Sequence, residues 1–109
     1  IEHTDAVNNL ESILTVAGVD AYIVGPYDLS GSLGIPGQFE APEYIEAMQR
    51  IRNVAEKLGV PGGVHIVEPD TGQLRQRIQE GNRFIAYSID TRMLDTSCRA
   101  GLGSIQSLR

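Results

Sequence analysis

The chain has 109 residues, 41% of them hydrophobic, with a formal charge of -5 and one cysteine. That length suits one domain with an ordinary core, and an acidic balance without clustered Lys or Arg argues against a nucleic-acid partner, which requires a basic surface. The longest apolar runs, Val16 to Val19 and Ala21 to Val24, fall far short of the roughly 18 residues that span a bilayer, so neither a membrane segment nor a secretory leader is expected.

Cys98 allows no intrachain disulfide, and is read as a small packing residue in a reducing, cytoplasmic setting. The chain opens on Ile1 rather than Met, with chemistry at once in Glu2, which suggests a piece of a longer protein.

In chain order, Ile1-Glu2 reads as the end of a strand. Val7, Leu10, Ile13 and Leu14 then recur at helical spacing between Thr4 and Val16, with Thr4 placed to cap and Asp5 to favour the first-turn dipole. Ala21 to Val24 suits a strand buried on both faces. Tyr27 to Ala41, with Gly31, Gly34, Pro36 and Gly37 and no sustained period, reads as one long loop of the kind that carries function. Pro42 opens the clearest helix, whose stripe of Tyr44, Ile45, Met48, Ile51, Ala55 and Leu58 closes at Lys57 and Gly59. Val64 to Val67 predicts a second strand, Pro69-Asp70 a helix that ends at Gly81, Phe84 to Ile89 a third strand, and Met93 to Leu108 a helix interrupted by Gly101 and Gly103. This alternation implies a parallel α/β sheet covered by helices, either open and doubly wound or an arc of a closed barrel.

In such folds ligands gather at the carboxyl ends of strands. Glu2, Asp28, His65 and Asp90 fall there or close to it. Two carboxylates from adjacent strand ends make a hard oxygen site for Mg2+, Mn2+ or a similar ion; carboxylates in these positions also serve as plain helix caps. A Gly25-Pro26 turn lets the amides that follow point at an anionic ligand, although ordinary turns have the same composition. Strand alternation puts His65 on one face with Gly63 and Val67, where a barrel mouth accommodates a polar ring more easily than a helix layer does. A packing role for that ring, and for Ser88, stays open.

Ile1-Glu2 followed by Ala6, Asn8, Asn9 and Leu10, then Gly18-Val19-Asp20, then Gly25-Pro26-Tyr27-Asp28-Leu29-Ser30 with Leu33-Gly34 behind it, resembles the HpcH/HpaI aldolase family. Phe84 to Asp90 with Leu94 is similar to that family's final strand. The most specific part is a Glu followed 26 positions later by the Asp of Gly-Pro-x-Asp-Leu-Ser.

The resemblance implies that residues 1–109 form the C-terminal half of a (β/α)8 barrel, its N-terminal half being absent. It implies a divalent cation (Mg2+, Mn2+ or Co2+) on Glu2 and Asp28, and a metal-dependent, reversible aldol cleavage that yields a 2-oxo acid such as pyruvate and an aldehyde. Gly25, Tyr27 and Asp28 would bind the oxo acid, with its carboxylate on the Tyr27 and Asp28 amides. His65, where relatives often carry an aliphatic residue, would contact the aldehyde. The family's proton-transferring arginine and histidine belong to the other half, so no catalytic residue is assigned in this chain and alone it should be a poor catalyst. A homo-oligomer that exchanges its last helix is also implied. Within this half Schiff-base chemistry has no candidate, because the only lysine is Lys57, at the solvent-facing end of a helix. Alternatives are an acyl-CoA lyase of the citrate lyase β-type and a non-catalytic α/β binding or assembly module.

Overall fold

The computed structural model describes residues 1–105. Its elements run α1 (Thr4–Asn8), α2 (Leu10–Leu14), β1 (Tyr22–Val24), α3 (Pro26–Ser32), α4 (Pro42–Leu58), β2 (Gly62–Ile66), α5 (Thr71–Gln79), β3 (Ala86–Tyr87) and α6 (Asp90–Ser104). The strands form one parallel sheet in the order β1-β2-β3, with Tyr22 opposite Gly62, Val24 opposite Val64 and His65 opposite Ala86. Ile1 extends the sheet by a single residue on the far side of β1: its amino group donates to the Ile23 carbonyl at 2.6 Å and its carbonyl accepts from the Gly25 amide at 3.2 Å.

The core follows from alternation. Val24, Val64 and Ile66 point from the sheet to the helical layer, where they join Val7, Leu10, Leu14, Leu29, Tyr44, Ile51 and Ala55. Ile51, fully buried at the centre of α4, contributes on the order of 1.5–3 kcal/mol by leaving water. Pro42 begins α4 without forfeiting a hydrogen bond, and Gly59 ends it in the left-handed conformation at φ 70, which a side chain would strain. The other face of β2 then carries Gly63 and His65, away from the helices.

Several sequence expectations change. The helix expected from Thr4 to Val16 is broken at Asn9 into two short pieces, and the cap of α1 is His3 rather than Thr4, its ring nitrogen accepting from the Asp5 amide at 3.1 Å. The first part of the expected loop from Tyr27 to Ala41 is helix α3, begun by Pro26 at a first-turn position. Packing explains it: Leu29 and Ser30 are fully buried, and tertiary contacts override the weak local propensity of Ser30-Gly31-Ser32. Asp90 starts α6 instead of ending β3. Cys98 is exposed on α6 rather than packed, because none of that helix is buried; Met93, Leu94, Leu102 and Ile105 lie open as well. Residues 106–108 of the expected last helix lie outside the described residues. Among the described residues no helix is long and apolar enough to cross a membrane.

Candidate metal and oxo-acid site

Glu2, Gly25, Tyr27, Asp28 and His65 all line one cleft of about 210 Å3 at the carboxyl end of the sheet, with Ala86 on the next strand. Chain direction brings them there: Glu2 follows the residue paired to β1, Gly25 ends β1, Asp28 sits in the first turn of α3, and His65 lies near the end of β2. A hydrogen bond from the Thr4 amide to Ser32 Oγ, 2.8 Å, ties the segment after Glu2 to the end of α3. Buried Ser30 fixes the same helix from within, donating to the Tyr27 carbonyl at 2.9 Å and accepting from the Gly37 amide at 3.0 Å. A hydroxyl that holds two segments together has no local pattern, so neither serine's tie is legible in the sequence.

The carboxylates meet over Gly25. A Cβ built there would stand 2.9 Å from Glu2 Cγ and Oε1 and 3.2 Å from Asp28 Oδ2, so only a residue without a side chain leaves the space between them clear. Among the described residues, neither carboxylate has a hydrogen bond or an ion pair. Asp70, by contrast, is a true cap: it accepts from the Gly72 and Gln73 amides, and these bonds hold its carboxyl below the usual range. Asp90, the first residue of α6 rather than its cap, is also engaged, accepting from the Thr91 amide at 2.7 Å. Glu2 and Asp28 therefore differ from these two engaged carboxylates. Two like charges facing one small space repel, and a divalent cation between them would offset that repulsion. The donor set fits a hard cation such as Mg2+ or Mn2+, which keeps water or substrate oxygens in its other positions. Among the described residues no group of three or more His, Cys, Asp or Glu is placed to hold a metal ion.

Around this pair, the first-turn amides of α3 lack intrahelical acceptors, and Gly25 supplies no side-chain cap. The Tyr27 ring is half exposed and packs edge-on against Phe39 at 5.1 Å, which in turn meets Tyr44 at 5.3 Å. Burial pushes the Tyr44 phenol up. The His65 ring reaches the Ser88 carbonyl, 3.3 Å from Nε2. Lys57 is exposed and remote from the cleft, 3.9 Å from Glu11 Oε1.

The model of the HpcH/HpaI aldolase/citrate lyase family matches residues 1–96. The chain belongs to the HpcH/HpaI aldolase/citrate lyase family. It is 41% identical over 100 residues to a hydroxypyruvate/pyruvate aldolase of Sagittula stellata, a match covering 92% of this chain and 39% of that protein. A pyruvate aldolase of Rhizobium etli is 38% identical over 86% of this chain and 36% of its own length. The crystal structure of an HpcH/HpaI aldolase from Desulfitobacterium hafniense superposes with a TM-score of 0.89 at 37% identity, over all of this chain and 42% of that one. The chain thus spans about two fifths of the length of these relatives. Its parallel strands and covering helices are an arc of the (β/α)8 barrel on which the HpcH/HpaI family is built.

Proposed function

We propose that the full-length protein is a divalent-metal aldolase that reversibly joins and cleaves a 2-oxo acid, pyruvate, and an aldehyde, and that this chain supplies the C-terminal half of its barrel. The observation that carries this reading is the pair of unpartnered carboxylates, Glu2 and Asp28, facing each other over Gly25. Named aldolases among the relatives, acting on pyruvate and hydroxypyruvate, support the substrate class.

Each residue then has a defined task. Glu2 and Asp28 hold the cation, and Gly25 keeps the space between them open. The amides of Tyr27 and Asp28, at the positive end of α3, donate to the carboxylate of the oxo acid. His65 faces the aldehyde. The bound cation supplies Lewis-acid polarisation of the 2-oxo acid. Proton transfer falls to residues outside this chain. Within this half an imine route has no candidate, because its one lysine, Lys57, is exposed and outside the cleft. We further propose a cytoplasmic homo-oligomer: the chain is acidic with one cysteine, and the open apolar residues of α6 call for a partner surface.

Asp28→Asn in the full-length protein tests the reading. The change keeps shape and weakens ligation, so aldol turnover should fall by at least about a hundredfold, the order seen when one electrostatic contact to a developing oxyanion is removed. Excess Mn2+ or Co2+ should restore part of it. Full activity of the variant after exhaustive chelation would contradict the proposal, and turnover of a CoA thioester in place of an aldehyde would assign the citrate lyase branch.

A further inference from the structure

Ser88 is the one non-glycine residue at positive φ among the described residues, at 60. An L side chain avoids that conformation unless its surroundings impose it. Here they do. The Ser88 amide donates to the Ile66 carbonyl at 2.6 Å, and its hydroxyl, in a buried residue, donates to the Val67 carbonyl at 2.9 Å. Both bonds clamp the end of β3 onto the end of β2. The turned backbone presents the Ser88 carbonyl to His65 Nε2 at 3.3 Å.

A carbonyl oxygen only accepts, so a hydrogen bond here requires the proton on Nε2, which in a neutral ring leaves Nδ1 as an acceptor. His65 lies on the sheet face opposite to Val64 and Ile66, beside the small Ala86, and lines the same cleft as Glu2 and Asp28. Among the described residues no Lys or Arg lines that cleft. A purely apolar aldehyde would leave Nδ1 without a donor.

We propose that His65, held in its Nε2–H tautomer by the Ser88 carbonyl, is a specificity-determining residue that accepts a hydrogen bond from a hydroxyl group of the aldehyde. This rests on the aldolase reading above and deepens it: Ser88 is the positioning residue and His65 the one that touches substrate.

The test uses the full-length protein with pyruvate and two aldehydes of equal size, glycolaldehyde and propanal, in which a hydroxyl is exchanged for a methyl. Exchange of the pyruvate methyl protons with deuterated water, without aldehyde, reports the oxo-acid half of the site separately. His65→Leu should lower kcat/KM for glycolaldehyde by about 10–100-fold, the range for one missing hydrogen bond. The glycolaldehyde-to-propanal ratio should fall by the same order, while proton exchange, which reports the oxo-acid half, should stay within about threefold. Ser88→Gly keeps both the carbonyl and the positive φ, and should retain the preference. An unchanged glycolaldehyde-to-propanal ratio in His65→Leu, whether both rates fall or neither does, overturns the proposal. Should His65→Leu lose proton exchange as well, His65→Asn and His65→Gln decide. Asn keeps an acceptor at the δ position and should hold the ratio, whereas Gln should lose it, and equal ratios refute the role. Absence of exchange and of aldol turnover in the unaltered protein would instead remove the aldolase reading itself, and this role with it.

Discussion

Gly25→Ala should separate metal binding from folding. The backbone at Gly25, φ -87 and ψ 102, is open to any residue, so alanine meets no conformational penalty. Its methyl would lie 2.9 Å from Glu2 Cγ and Oε1, against about 3.5–4.0 Å for relaxed carbon contacts. The Glu2 carboxylate must therefore retreat by about 0.5–1 Å, several times the roughly 0.2 Å tolerance of a ligand distance. Because Glu2 is an exposed, flexible side chain, it swings toward solvent and the fold is little disturbed. Disturbing an outer-sphere partner already costs about 10–100-fold in metal affinity, and displacing a ligand should cost at least as much. The Mn2+ dissociation constant of the full-length protein, measured by calorimetry, should thus rise by at least about tenfold. Its metal-free unfolding free energy should change by no more than about 0.5 kcal/mol. An unchanged dissociation constant would refute the reasoning. A loss of stability matching the loss of binding would show that Gly25 is needed for packing instead.

Three further outcomes follow from the packing and capping. Ile51→Ala removes a fully buried side chain from α4 and should cost about 2–5 kcal/mol in denaturant unfolding; a cost near zero would mean that α4 does not anchor the core. Ser88→Ala should be less stable than Ser88→Gly by about 1 kcal/mol, since both lose the hydroxyl bond to Val67 and only alanine bears the positive φ; the reverse order would contradict the backbone geometry. The Asp70 carboxyl is held low by the Gly72 and Gln73 amides, so its contribution is present above its usual value of 3.8 and lost as pH falls through the lowered one. Asp70→Asn should remove that acid-side loss from the pH profile of stability, and an unaltered profile would show that the cap does not titrate with folding.

Long-range alternation was legible in the residues, and local breaks were not. The Pro42 start and Gly59 stop of α4 are local signals and appear at the expected places, and its stripe is buried at Tyr44, Ile51 and Ala55, while Ile45 is exposed. The misread segment is Tyr27 to Ala41, where glycines and prolines dominate the pattern while the burial of Leu29 and the double bond of Ser30 decide the conformation. Asn9 breaks the first helix without a sequence signal beyond its own low propensity. Spacing could propose Glu2, Asp28 and His65 but could not distinguish ligands from caps. The contrast between unpartnered and capping carboxylates lies in the clearance over Gly25 and in the hydrogen bonds, which are properties of several segments together. The role of Ser88 is not legible in the sequence, because its positive φ is imposed by β2 and carries no turn signature.

In the proposed function Glu2 and Asp28 share one cation that receives a 2-oxo acid. Anomalous scattering from crystals of the full-length protein grown with Mn2+ and oxalate, a stable mimic of the oxo acid's chelating oxygens, tests it most directly. The account predicts a single Mn2+ peak between the two carboxylates, with oxygens of both at about 2.0–2.6 Å and the oxalate reaching toward the Tyr27 and Asp28 amides. A peak elsewhere, a peak on one carboxylate alone, or none at saturating Mn2+ would contradict it.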